Sequence, residues 1–464
     1  MALLPPLVVP ALAPALAPAL APALAPALAP AHGVGSRGDL PLPFTALVIA
    51  AVAALVISFV AIGTLWREPR LRDTDGVLLP GSLAALLDSR WLRVVARVLA
   101  AALTLWTLTA LVLGPDSARN PVPHVVYVWL WVGLAFASML LGPVWRVINP
   151  LRWLHAGLLR LARVSPDLAA LPYRWGLWPA AIGLGTFTWV ELVAEDNTSL
   201  GFLRLLIAGF IAVSLLGAAV FGRTWFDHAD PFEAWSRLLG LLSPLGRRPD
   251  GRWVLRTPLH GVNGLRGQRG LVPTVAVMLG GTAYDGFSAN LSWATFVQTS
   301  PVPSSLLRTA TLLAFFGFVA TTIWLASLVS VRLAGEPFTR SFSFVSDIAP
   351  SLIPIAGGYV IAHYWSLWVY QGQYAWRLLT DPLGTGADLL GTADLTPNDL
   401  LIQPTLVATI QAVSIVVGHL LGVLAAHERA ITVLDRRSAV VGQVPLMVVM
   451  IFYTLGGLTI LFAP

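Results

Sequence analysis

Ten stretches of the chain run for about 20 residues each with almost no charge: 44–65, 95–114, 123–145, 176–194, 201–221, 271–296, 306–331, 347–372, 403–426 and 441–462. A helix of that length crosses the hydrocarbon of a bilayer. Lipid offers no partners for backbone N–H and C=O groups, so such runs must close their hydrogen bonds internally, as helices. The pattern predicts an all-α fold, a polytopic transmembrane helical bundle of about ten spans.

The polar connections alternate in arginine content. Segments 66–94, 146–175, 222–270, 332–346 and 427–440 hold 23 arginines, against five on the opposite side: Arg37, Arg119, Arg204, Arg308 and Arg377. Basic loops stay in the cytoplasm. The expected arrangement therefore has both termini outside an inner (plasma) membrane. Trp66, Trp91, Trp145, Trp175, Trp225 and Trp376 fall at the predicted interfaces, where an amphipathic ring is at home.

Composition agrees. Of 464 residues, 56% are hydrophobic and only 11% charged, where a soluble domain carries about 25% charge. Lipid must cover what no aqueous core could hide, so the bilayer is the first partner. The isoelectric point of about 10.1 follows from the cytoplasmic loops and does not point to nucleic acid. All 29 basic residues are arginine and cysteine is absent, which excludes disulfides, iron–sulfur clusters and thiolate zinc sites. Any metal would need His, Asp, Glu or Met.

Two regions are expected along the chain. Residues 1–31 form an Ala/Leu/Pro-rich leader, with Ala-Leu-Ala-Pro repeated five times over 11–30. Proline at every fourth position makes a poor spanning helix. The small residues Ala29 and Ala31 fit a signal-peptide cleavage site that would leave His32 as a free N-terminus able to chelate copper. Residues 32–464 form the transmembrane domain. Within it, 150–163 alternates leucines with Arg152, Arg160 and Arg163, as expected of a helix lying in the headgroup plane. The longest cytoplasmic loop, 222–270, opens on Trp225–Glu233 and continues into a Gly/Arg-rich stretch that predicts an irregular hairpin.

Ionisable groups inside the membrane are costly and point to function. The sixth span carries Tyr284, Asp285 and Ser288 among Gly280, Gly281 and Gly286, which predicts a helix unwound around a carboxylate that lines a cavity. The eighth carries Pro350, Pro354, His363 and Tyr364, and the ninth Gln411, Ser414 and His419. His363 and His419 invite three readings: a metal or haem site, a proton-relay or substrate site, and buried structural histidines. Depth favours Gln411 or Ser414 over His419 as the neighbour of His363. Asp285 and His363 are expected to share one cavity. Glu191 and the acidic loop 373–402, with its near-repeat Gly384–Asp388 and Gly391–Asp394, make the outer face acidic. That suits a cation-concentrating mouth or, more simply, a solvated loop. No serine-hydrolase elbow, zincin helix or Walker loop occurs, and the first and sixth spans do not look like copies.

The motifs His32–Gly35 with Asp39–Pro41, Trp189–Val193, Ala229–Glu233, Thr282–Ser288, Ala362–Tyr364 and Asp381–Asp388 together resemble a family of bacterial multi-pass membrane proteins often labelled fenitrothion hydrolase. The resemblance covers nearly all of the chain after residue 31 and implies organophosphate ester hydrolysis. It carries over no catalytic residues. Three functions follow as expectations: a polar intramembrane site that binds or passes a small solute or ion, a membrane-embedded hydrolase or metal-dependent enzyme, and a scaffold whose 222–270 loop recruits a partner.

Overall fold

A computed structural model describes residues 37–71, 75–165, 171–434 and 439–462. The leader and His32 lie outside the described residues. The described residues are mostly helical. We label the helices used below α1 (Phe44–Leu65), α2 (Arg90–Leu113), α3 (His124–Leu141), α4 (Pro150–Leu161), α5 (Trp178–Leu192), α6 (Leu200–Phe221) and α7 (Pro231–Leu239). The second half contributes α8 (Leu271–Ser288), α9 (Leu291–Thr299), α10 (Ser304–Leu333), α11 (Ile353–Leu379), α12 (Pro404–Val433) and α13 (Val444–Leu461).

Among the described residues, eight helical stretches are long and apolar enough to cross a membrane, and each coincides with an expected span. The two remaining expectations, 176–194 and 271–296, appear as α5 of 15 residues and α8 of 18. Both are interior. α8 is enclosed by α5, α10, α11 and α13, and it buries residues all round its circumference. A helix shielded by protein has no need to be apolar. Arg37 Nε donates to Phe462 O at 2.7 Å, so the two ends of the described chain meet at one end of the bundle. We call that the acidic end, and the arginine-rich one the basic end.

Helices in lipid gain little from hydrophobic burial and associate through close packing at small residues. α11 and α12 show it. A Cβ on Gly358 would lie 2.4 Å from Ser414 O, and one on Gly418 would lie 2.8 Å from Pro354 O. At the basic end, His427 and Glu428 of α12 clasp the segment after α1. His427 Nε2 meets Trp66 O at 2.8 Å, and Glu428 accepts from Trp66 Nε1 at 2.8 Å and from the backbone N–H groups of Arg70 and Leu71 at 2.6 Å.

The 222–270 segment departs from a plain solvated loop. Asp230 caps α7 by accepting from Phe232 N (2.9 Å) and Glu233 N (3.0 Å), and Asn149 Nδ2 donates to its other oxygen at 2.9 Å. α7 then runs into the bundle. Trp235 stacks on Trp131 of α3 at 4.2 Å between centroids and donates to its carbonyl at 3.2 Å. That carbonyl belongs to a π-helical stretch, His124–Gly133, whose wider turns shift backbone partners. The Gly/Arg-rich part forms an antiparallel hairpin, β2 (Leu245–Arg247) with β3 (Trp253–Leu255), and β1 (Val77–Leu78) pairs on the other side of β3.

Candidate functional site

Asp285 stands on α8, one turn before its end. The helix is continuous through Ser288; it breaks only at Ala289–Asn290, where Asn290 caps α9. The expected unwinding around Asp285 is therefore corrected. The glycines serve close contact instead. A Cβ on Gly280 would meet Phe315 O at 2.9 Å, and one on Gly286 would meet the Tyr359 hydroxyl at 2.8 Å. Without that approach α10 and α11 could not close on α8.

On the α11 side, His363 Nε2 lies 2.9 Å from Asp285 Oδ2, and Tyr364 donates its hydroxyl to the same oxygen at 2.9 Å. All three side chains are buried, with Asp285 at 5% and His363 and Tyr364 at 2% exposure. Burying a carboxylate without such partners would cost several kcal/mol. Tyr359 sits one helical turn before His363 and stacks on its ring at 6.1 Å. Its hydroxyl has no hydrogen-bond partner among the described residues. Glu191 of α5 lies within electrostatic reach of Asp285 and leaves one buried carboxylate oxygen similarly unpartnered. Two acids, an imidazole and two phenols thus converge from three helices.

Below Tyr364, toward α7, is a void of about 10 Å³ walled by Trp131, Thr188, Trp235, Gly281 and Thr282. That is room for about one water molecule. The Trp131–Trp235 stack forms its floor.

The other sequence candidates lie elsewhere. Tyr284, next to Asp285 in the chain, points away from it and packs against Phe315 at 5.8 Å, in a cluster with Val193 and Leu312. Ser288 donates to the backbone carbonyl of Asp285 at 2.8 Å, closing the helix end. Gln411 is fully buried, and neither its amide oxygen nor its nitrogen has a partner among the described residues. His419 does not join His363. The contact of Gly418 with Pro354 puts His419 nine residues down α11, roughly 13 Å at 1.5 Å per residue. Its Nδ1 meets Ile415 O at 2.8 Å, and its Nε2 has no partner among the described residues. Among the described residues, no group of three or more His, Asp or Glu side chains is placed to hold a metal ion.

Sequence reasoning missed Tyr359, Trp131 and Trp235. Tyr359 was legible in principle, since position i−4 shares a helix face with His363. The tryptophan pair was not, because nothing local shows that a loop helix folds into the bundle.

The acidic outer loop answers to turn geometry. Asp381 accepts from Thr385 N at 2.9 Å and Gly386 N at 2.8 Å; Asp388 accepts from Thr392 N at 2.8 Å and Ala393 N at 3.1 Å. In each half the carboxylate closes a turn over a glycine with positive φ, Gly384 at 66° and Gly391 at 69°. The near-repeat is thus a repeated Asp-closed turn. The Thr380 hydroxyl and the Ala393 and Thr392 amides hold the Asp388 carboxyl below the usual range.

Neither a family model, nor a curated protein, nor a solved structure matches the chain, so its function must be argued from this geometry.

Proposed function

We propose that the chain is a multi-pass protein of the inner (plasma) membrane, with ten spans and both termini outside, and that the cluster of Asp285, His363 and Tyr364 binds or passes a small solute or ion. The reading rests on one observation: a carboxylate, an imidazole and a phenol meet at a single buried oxygen among helices apolar enough to face lipid. Side chains this costly to bury are retained where a charge must be held or moved. The carboxylate attracts a cation or a proton. Imidazole and phenol can exchange protons with it across 2.9 Å contacts. Thr188, Thr282 and the one-water void extend this polar line toward the basic end, where the Trp131–Trp235 stack interrupts it. Passage beyond that point requires the stack to part, which makes it the gate of the proposed path. The meeting of Arg37 with Phe462 supports an even number of crossings.

The test is flux in sealed proteoliposomes carrying an internal pH dye, with proton, sodium and potassium gradients imposed in turn. Wild-type protein should dissipate one of these gradients, and Asp285→Asn should slow that at least about tenfold while remaining folded, the scale expected for a group that acts on protons directly. Wild-type vesicles as tight as protein-free ones to all three, with no heat of binding for any of the ions, would overturn the reading.

A further inference from the structure

Between α2, α3, α5 and α6 lies a groove of about 1270 Å³ that the site above does not use. α2 touches the bundle through a few fixed points. Arg97 Nε donates to Val147 O (3.4 Å), Trp106 Nε1 to Leu379 O (2.9 Å), and Arg204 Nε of α6 to Leu111 O (2.8 Å). Between them its inward face stands off from its neighbours. The walls are almost wholly apolar, and among the described residues the only charged one that lines it, Asp230, is already engaged as the α7 cap. Gly209 lines the groove with nothing within 4 Å of where a Cβ would be.

The groove changes character at one mouth. The α2 residues facing it are Ala100, Leu103, Thr104, Thr107 and Leu108, a single helix face. The same three- and four-residue steps continued toward the basic end reach Arg97, Arg93 and Arg90. Arg93 and Arg97 are exposed. Across the gap, Trp145 and Ile148 line the wall, and Arg146 between them keeps 59% of its side chain exposed while approaching Asp227 at 3.4 Å. The space is thus apolar along its length and cationic at its basic mouth.

We propose that this groove is a binding site for an anionic phospholipid of the bilayer leaflet at the basic end, acyl chains along the groove and headgroup on Arg93, Arg97 and Arg146. Charge complementarity selects this occupant. A second copy of the chain would bring its own arginines to the same end and be repelled. A phospholipid supplies both an apolar body and a negative head, and arginines beside a membrane weight anionic lipid by about fivefold each.

The full chain is placed in nanodiscs of equimolar phosphatidylglycerol and phosphatidylcholine, then released into mild detergent. Retained lipid is counted by native mass spectrometry. Phosphatidylglycerol should be retained over phosphatidylcholine, and each of Arg93→Gln, Arg97→Gln and Arg146→Gln should lower that preference by about fivefold. Gly209→Trp, which fills the groove, should reduce retention of both lipids with helix content unchanged. Should that variant fail to fold, the arginine variants, altered only at exposed positions, still decide. Equal retention of the two lipids by wild type, an unchanged preference in all three arginine variants, or a dimer whose cross-links map to the groove would each overturn the proposal.

Discussion

His363 Nε2 and Asp285 Oδ2 stand 2.9 Å apart on neighbouring helices, and Tyr364 shares the same carboxylate oxygen. A contact this buried is testable by a double-mutant cycle. Asp285→Asn and His363→Gln should each lower stability in a detergent unfolding assay by about 3 kcal/mol, the usual cost of leaving one partner of a buried pair alone. The double variant should cost about 1–3 kcal/mol less than their sum. Strict additivity would show that the two groups do not depend on each other and would return His363 to a packing role.

Trp235 is expected to act as a floor. Its ring covers Trp131 at an interplanar angle of 13° and borders the void beneath Tyr364. Trp235→Ala removes a large buried ring and leaves a cavity, at a cost of about 3–5 kcal/mol. If the stack closes a path, the same variant should raise ion leakage in proteoliposomes. Trp235→Phe, which keeps a ring, should leak less than Trp235→Ala. Equal tightness of both variants and wild type would remove the gating role.

The helix that carries Trp235 should give stability a pH dependence. Burial lifts the Glu233 carboxyl from 4.5 to about 7, with Arg152, at 3.6 Å, pulling the other way. The folded state therefore holds this proton more tightly than the unfolded one. The stabilisation is complete below about pH 4.5 and is lost as pH rises through about 7. Across that window the unfolding free energy should fall by about 3 kcal/mol, since each pH unit between the two values contributes about 1.4 kcal/mol. Glu233→Gln should flatten the curve; a variant that keeps the wild-type slope would assign it to another group.

Membrane orientation makes a separate expectation. The hairpin turn at Arg248–Gly251 and the loop around Leu390 stand at opposite ends of the proposed spans. A phosphatase fused at the turn should be inactive and one fused near Leu390 active, because the basic loops face the cytoplasm. The reverse result would invert the protein and exchange the inner and outer mouths of the proposed path.

Much of the architecture is legible in the sequence because lipid imposes one rule, length without charge, that can be read one segment at a time. Among the described residues every expected span is helical, although 271–296 is split at Ala289–Asn290, and eight helical stretches meet the length and apolarity needed to cross. The rule misses what protein contacts decide. α8 falls within the expected span 271–296, but its glycines look like helix breakers when read alone. They are contact points whose partners, Phe315 and Tyr359, are remote in sequence. The nearness of Asp285 and His363 follows from spans six and eight running in the same direction, so the depth argument could suggest it. The roles of Tyr284 and Ser288 turn on which way a side chain points, and adjacency in sequence says little there, because successive helix positions diverge by about 100°. α7 is the largest surprise. Its sequence, Pro231–Leu239, falls in the segment expected to be a cytoplasmic loop, and the tertiary contacts of Phe232 and Trp235 turn it inward.

Close approach at glycine yields a graded prediction. A Cβ at Gly358 would sit 2.4 Å from Ser414 O, a backbone atom of α12 that cannot step aside. At Gly286 it would sit 2.8 Å from the Tyr359 hydroxyl, the far end of a side chain. At Gly456 it would meet nothing within 4 Å. Overpacking usually costs about 1–3 kcal/mol, and more where the backbone must move. Gly358→Ala should therefore destabilise by about 3 kcal/mol or more by driving α11 and α12 apart. Gly286→Ala should cost about 1–2 kcal/mol, and its cost should fall when Tyr359→Phe is added, since the crowding oxygen is then gone. Gly456→Ala should be neutral or stabilise by up to about 1 kcal/mol, as alanine is the better helix former. Thermal unfolding of the variants in one detergent checks the order. A Gly358→Ala protein as stable as wild type would mean that α11 and α12 do not cross at Gly358 and Gly418, and the depth relation of His363 to Gln411 and His419 would have to be redrawn.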